Sequence, residues 1–144
     1  MRLGVCVRCI LSSVTTLNEK SALFVFDCPP GPETFVIELI DDAKAAHARR
    51  ILSGAEQHKI HVSGIVVRGS TPYNQVWNFH LSPDSITFFD FAVEVCDASI
   101  KYVSEHLDDV GGAFLPAGRW CPWRSHLLRE IAHSRQSQPW HNSE

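Results

Sequence analysis

Alternating apolar and polar residues predict four β-strands along the chain. The first two are Ala22–Asp27 (ALFVFD) and residues 34–40 (TFVIELI), and the turn between them contains three prolines and a glycine, which cannot continue a strand ladder. The third strand covers residues 58–68, and Gly64 inside it predicts a bulge or a close backbone approach. Residues 76–81 (VWNFHL) are the fourth strand.

A capped, alanine-rich stretch predicts a helix between the second and third strands. Asp41 or Asp42 can accept hydrogen bonds from the first backbone N–H groups of this helix, and Gly54 ends it. The run Ser82-Pro83-Asp84 predicts a second helix start, because serine is a good cap and proline suits the first helical turn.

Apolar residues at spacings of four and three predict that helical structure continues to Val110. One helix of that length would be unusual in a domain of this size, so we expect a break near Cys96 and Ala98, with Asp97 capping the second part. Residues 124–133 are predicted to form a short terminal helix.

The predicted order is β-β-α-β-β-α-α with a short helix at the end, which indicates a single α+β domain over residues 22–133. Hairpin-like connections favour one antiparallel sheet of about four strands, covered on one face by helices. Residues 1–21 are expected to be a flexible leader or a weak signal-like segment, because Arg8 interrupts the apolar part. Residues 134–144 are expected to be a disordered tail.

The composition excludes two classes of protein. A net charge of -3 and a pI of about 6.2 argue against a nucleic-acid-binding domain, which needs a broadly basic face. No apolar run reaches the roughly 18 residues that a membrane span needs. An intracellular location is favoured over secretion, although the leader leaves secretion open.

The charge is unevenly distributed, because residues 119–135 carry a formal +3 (four arginines against one glutamate) and the remainder carries -6. Trp123, Leu127 and Ile131 follow at the helical spacing i, i+4, i+8. A basic amphipathic helix of this kind is typical of a segment that a groove-forming partner such as calmodulin binds. The alternative is that the helix packs on its own sheet. The candidate binding residues are Trp120, Trp123, Arg124, Leu127, Arg129 and Ile131, next to the aromatic loop 114–123.

Two histidines on predicted neighbouring strands are candidate metal ligands. His61 and His80, with Glu94 or Asp97 nearby, could bind zinc or another divalent cation. The alternative is that both imidazoles are structural and hydrogen-bonded. No other cofactor is predicted. The chain also lacks a nucleophile elbow, a phosphate-binding loop and a dinucleotide fingerprint, so a non-catalytic role is favoured.

Five cysteines leave at least one thiol unpaired within the chain. Cys6 and Cys9 form a lone CxxC without the second pair that a zinc ribbon needs. Cys96 and Cys121 are the favoured disulfide partners, because both lie in aromatic, core-like sequence. A secreted, disulfide-stapled defence or inhibitor-like domain is therefore a third interpretation.

Several short motifs resemble the N-terminal domain of the cAMP-inducible, calmodulin-binding prespore protein family over about residues 22–130. The motifs are ILSG at 51–54, HVxGxV at 61–66, YNxxWxFHLxPxSIxFF at 73–89, EVCDA at 94–98, GGAFLP at 111–116 and WCPW at 120–123. The resemblance implies a binding or interaction domain with a calmodulin-like protein partner. It assigns no catalytic residue and no cofactor.

Overall fold

The computed structural model describes residues 21–132, and the predicted tail and nearly all of the predicted leader lie outside that range. Among the described residues are nine β-strands, two α-helices and three short 3-10 turns. The strands are β1 Ala22–Asp27, β2 Thr34–Leu39, β3 His61–Arg68, β4 Phe79–Leu81, β5 Thr87–Phe89, β6 Val110–Gly111, β7 Phe114–Pro116, β8 Arg119–Trp120 and β9 His126–Ile131; the helices are α1 Asp42–Ser53 and α2 Ile100–Glu105.

The strands form two main antiparallel sheets and one short parallel pair. β1 is the centre of the first sheet, with β2 on one side and β9 on the other. β3 is the centre of the second sheet and pairs with β4, β5 and β8 along its length. The α+β class is confirmed, although the strands are divided between two sheets. None of the helices in residues 21–132 is long and apolar enough to cross a membrane.

An aromatic cluster fills the core between the sheets. Phe26 and Phe35 are register partners across β1 and β2, and their ring centroids lie 5.5 Å apart. Trp120 of β8 contacts both of these rings and that of Phe79 at centroid distances of 5.4 to 5.8 Å. All four side chains are fully buried. The alternation of β1 and β2 therefore points alternate residues into one shared core.

The local signals for α1 are confirmed. The Asp41 carboxylate accepts hydrogen bonds from the backbone N–H groups of Ala43 (2.7 Å) and Lys44 (3.3 Å). Gly54 ends the helix with a φ of 82°, in the left-handed region that favours glycine. The predicted close approach at Gly64 is also present, because a Cβ there would lie 3.0 Å from Leu81 Cδ1.

The long helical stretch predicted between Ser82 and Val110 is wrong. Pro83–Ser85 makes only a 3-10 turn, and the chain then enters β5, where Phe88 pairs with Val62 of β3. Only Ile100–Glu105 is α-helical, and its cap is Ser99 rather than Asp97, since the Ser99 side chain accepts from Tyr102 N–H. Pairing with β3 therefore overrides the local helical spacing.

The predicted terminal helix over residues 124–133 is also wrong. Residues His126–Ile131 form β9, which runs antiparallel to β1 and places Leu127 opposite Phe26. Ser125 fixes the start of this strand, because its buried hydroxyl accepts from Val62 N–H at 2.8 Å and donates to the Pro122 carbonyl at 2.8 Å. A strand supplies β1 with a second hydrogen-bonded neighbour, which a helix could not do.

Candidate functional site

The six candidate binding residues do not share one face. Trp120 is completely buried, and its indole N–H donates to the Ala98 carbonyl at 2.9 Å, so it belongs to the core. On β9, Leu127 packs against that core, whereas Arg129 and Ile131 are paired with Val25 and Leu23 of β1. The i, i+4, i+8 surface of the sequence prediction is therefore absent from the described strand.

Trp123 and Arg124 are exposed and lie in the segment between β8 and β9. The backbone N–H of Trp123 donates to the Asp97 carboxylate at 3.0 Å, which holds this segment against the chain that precedes α2. Of the predicted binding aromatics, Trp123 is thus the one that a partner can reach, with 37% of its surface exposed.

The two candidate metal ligands lie at opposite ends of β3. His61 is the first residue of that strand, whereas His80 on β4 is the register partner of Val67. Six residues of strand separate these positions by about 20 Å, so His61 and His80 do not share a site. Each imidazole donates from Nδ1 to a backbone carbonyl, His61 to Ser125 (2.9 Å) and His80 to Gly69 (2.8 Å).

His126 is the histidine that approaches His61, with ring centroids 6.4 Å apart. Its Nδ1 lies 3.8 Å from a carboxylate oxygen of Asp27 on the neighbouring strand. Sequence reasoning missed this proximity because it assigned His126 to a helix. Within residues 21–132, no group of three or more histidine, cysteine, aspartate or glutamate side chains is arranged to hold a metal ion.

Cys96 and Cys121 are joined by a disulfide, with Cα atoms 5.1 Å apart, as the sequence favoured. Cys121 N–H also donates to the Cys96 carbonyl at 2.7 Å, so the bridge and the backbone bond reinforce each other. Cys28 is a free, partly buried thiol. Its burial, together with the nearby carboxylates of Asp27 and others, raises its pKa from 9.0 to about 12. Cys6 and Cys9 lie outside the described residues.

The most exposed apolar side chains of the described chain near the disulfide belong to residues 90–95, which we call the apolar loop. Phe91 is 90% exposed, Val93 is 69% exposed and Val95 is 61% exposed. Isolated exposed apolar residues are ordinary on protein surfaces, but three in one five-residue stretch are a common mark of a contact site.

Both ends of the apolar loop are fixed to the fold. On one side Phe89 pairs with His61 in the second sheet. On the other side Cys96 is bridged to Cys121, and the Asp97 backbone N–H donates to the Glu94 carbonyl at 3.0 Å. A loop held at both ends loses less conformational entropy when it binds. The apolar loop is therefore a prepared rather than an accidental exposure of hydrophobic surface.

Sequence reasoning missed the apolar loop because Val93 was assigned to a helical core stripe. The residues that it exposes are Phe91, Val93 and Val95, whose spacing of two is the period of extended chain and not of a helix. That alternation is the local signal that could have identified the segment.

Comparison with known proteins gives one match. A family model for the N-terminal domain of the calmodulin-binding prespore protein matches residues 20–134, in agreement with the resemblance found in the sequence. No curated protein and no solved structure gives a significant match to the chain.

Proposed function

The chain belongs to the family of calmodulin-binding prespore protein N-terminal domains, and we propose that it is a non-catalytic domain that binds a protein partner through the apolar loop. The observation that carries the proposal is the joint exposure of Phe91, Val93 and Val95 between two fixed ends. Burying a side chain of this kind in a partner stabilises a complex by about 1.5–3 kcal/mol. Three such anchors are enough for a specific contact.

The roles of the reactive side chains support a non-catalytic domain. The His61 and His80 imidazoles each donate to a backbone carbonyl and so help to hold the fold. The raised pKa of Cys28 keeps it a neutral thiol, whereas a nucleophilic cysteine needs the thiolate.

The charges on the loop favour a protein groove over a lipid surface. Asp90 and Glu94 are exposed among the apolar side chains, and Asp97 follows at the end of the loop. Cytoplasmic membrane surfaces are anionic and would repel these carboxylates. A protein partner with an apolar groove and a basic rim would complement both features.

A calmodulin-like partner, which the family resemblance suggests, would need a different contact from the one predicted by the sequence. Residues 124–131 would have to leave β1 and become helical before they could enter a groove, and the apolar loop is acidic rather than basic. We therefore place the partner contact at residues 90–95, with Trp123 beside it.

The proposal is tested by site-specific photocrosslinking. A benzophenone side chain in place of Phe91 is expected to give a discrete crosslinked protein from extracts of the source cells, identified by mass spectrometry. The same label in place of Val76 is the matched control, because Val76 is 87% exposed and lies outside the loop. Val93→Asp should abolish the Phe91 product.

Two outcomes would overturn the proposal. One is a set of Phe91 products that equals the Val76 set or survives Val93→Asp. The other is sedimentation of the protein with anionic or neutral lipid vesicles that depends on Phe91, which would assign the loop to a membrane instead.

A further inference from the structure

A cavity of about 380 Å³ lies at the end of β1, where the β1–β2 turn faces the segment that leads into β9. Its walls include Gly31 and Glu33 of the turn, Asp97 and Lys101 from the start of α2, and Arg124. The volume is in the range of small-molecule sites. The cavity is separate from the apolar loop, and its role does not depend on the function proposed for that loop.

Opposite charges stand on either side of this cavity. Thr34 of β2 and His126 of β9 are both register partners of Asp27, so the two strands are about 10 Å apart, twice the interstrand spacing. Glu33 immediately precedes Thr34, and Arg124 lies two residues before His126. The strand order therefore places a carboxylate on one side of the end of β1 and a guanidinium on the other.

The two charged groups are not used by each other. Within residues 21–132, neither Glu33 nor Arg124 takes part in an ion pair shorter than 4.0 Å. The half-buried Glu33 carboxylate lies over Gly31, in the space that a Cβ would fill at that position. Lys101 adds a second cation, with only a long contact to Glu105 at 3.9 Å. A partly buried carboxylate without a partner is costly unless a ligand or water satisfies it.

We propose that this cavity binds a small zwitterion, a free α-amino acid. Its carboxylate would lie against Arg124 and Lys101, and its ammonium group against Glu33 and Asp97. A guanidinium group suits a carboxylate because it can donate two parallel hydrogen bonds. Asp97 accepts one hydrogen bond from Trp123 N–H, and its second oxygen is available to an ammonium group.

The ionisation of Cys28 is consistent with the orientation of this ligand. After burial, the carboxylates of Asp27, Asp97 and Glu33 are the causes that raise the pKa of its thiol. The electrostatic potential near Cys28 is therefore negative, which favours the ammonium end there and the carboxylate end near Arg124.

The experiment is a titration followed by the backbone amide signals of the whole protein in NMR. The probes are L-leucine, 4-methylpentanoate (which lacks the ammonium group) and 3-methylbutylamine (which lacks the carboxylate). L-Leucine is expected to shift the amides of Gly31, Ser99 and Lys101, and to bind about tenfold more tightly than either analogue. Arg124→Gln and Glu33→Gln should each reduce leucine binding to the level of the analogues.

The matched control is Arg50→Gln, which removes an exposed arginine of α1 and should leave leucine binding unchanged. Spectra of all variants should agree with the native spectrum away from the cavity, which separates lost binding from lost folding. Equal binding of the three probes, no shift at millimolar leucine, or full leucine binding by Arg124→Gln would each overturn the proposal. Crosslinking through Phe91 is read independently, so failure here does not affect the proposal for the apolar loop.

Discussion

Trp120 contacts more of the aromatic core than the sequence indicated. Its ring lies 5.4 to 5.8 Å from Phe26, Phe35 and Phe79, and its indole N–H donates to the Ala98 carbonyl. It therefore joins the two sheets to the segment before α2. The neighbouring Trp123 is similar in sequence context but is exposed, so the two tryptophans separate a core role from a surface role.

Trp120→Ala is expected to lower the free energy of unfolding by about 3–5 kcal/mol, because it leaves a large cavity and removes the donor to the Ala98 carbonyl. Urea denaturation followed by circular dichroism measures the change. Trp123→Ala is the control and should cost less than about 1 kcal/mol. Equal losses in the two variants would contradict the assignment of Trp120 to the core.

Cys28 gives a prediction that depends on pH. Its pKa is raised to about 12, so the folded protein keeps the thiol protonated up to that pH, while the unfolded chain loses the proton near 9.0. Alkylation of Cys28 by iodoacetamide near the unfolded-state pKa should therefore be slower by about tenfold or more in the folded protein than in urea. Peptide mass spectrometry distinguishes Cys28 from the other cysteines.

The same difference contributes to stability in a defined direction. A raised pKa in the folded state means that the contribution is complete below the unfolded value of 9.0 and is lost as the pH rises from there towards about 12. Cys28→Ser should remove this part of the alkaline destabilisation. An alkylation rate that is equal in folded and unfolded protein would contradict the burial of the thiol.

At the level of elements, β9 decides how the C-terminal basic segment can be used. Phe24 of β1 is the register partner of Glu130, whose carboxylate is held by Arg49 of α1 through hydrogen bonds of 2.7 and 3.0 Å. The register shifts between Val25 and Phe26, which leaves Leu128 without a β1 partner. A bulge and charged residues on an edge strand discourage pairing with another chain.

The folded protein is expected not to bind calcium-loaded calmodulin, because helix formation would require β9 to separate from β1. A synthetic peptide of residues 119–135 should bind, since it is free to place Trp123, Leu127 and Ile131 on one helical face. Isothermal titration calorimetry with and without calcium compares the two. Binding of the folded protein as tightly as the peptide would show that this segment leaves the sheet.

Elements with strong local signals were predictable from the sequence, and elements that depend on distant pairing were not. Asp41 and Gly54 bound α1 through contacts within a few residues, so its limits could be read directly. β5 and β9 form only because β3 and β1 lie beside them. Residues 124–133 have a good helical pattern, and no local feature reveals that Leu127 will lie opposite Phe26.

The candidate sites divide in the same way. The pairing of Cys96 with Cys121 was favoured from their aromatic surroundings, whereas the approach of His126 to His61 requires knowledge of the strand order. The opposed charges of Glu33 and Arg124 are 91 positions apart in the chain (124 minus 33) and meet only through their shared neighbour β1. Sites made by non-local pairing are therefore those that sequence patterns miss.

For the molecule as a whole, the Cys96–Cys121 bridge connects the core to the proposed binding surface. It closes a sequence separation of 25 residues that includes α2, β6, β7 and β8. One end of the bridge terminates the apolar loop, and the other directly follows buried Trp120. A single covalent bond thus limits both unfolding of the core and movement of the loop.

Removing the bridge is expected to lower the free energy of unfolding by about 3 kcal/mol, because the unfolded chain gains the entropy of an open loop of this length. The Cys96→Ser/Cys121→Ser double variant should show this loss in urea denaturation, and dithiothreitol should then have no further effect on it. Intact mass of the native protein should rise by two hydrogen atoms on reduction of this bridge. Hydrogen exchange at residues 91–95 should also accelerate in the double variant, while α1 stays protected, because the loop loses one of its two anchors and α1 loses none. Unchanged exchange in the loop together with lower stability would mean that the bridge supports the core alone, and that the order of the apolar loop comes from β5.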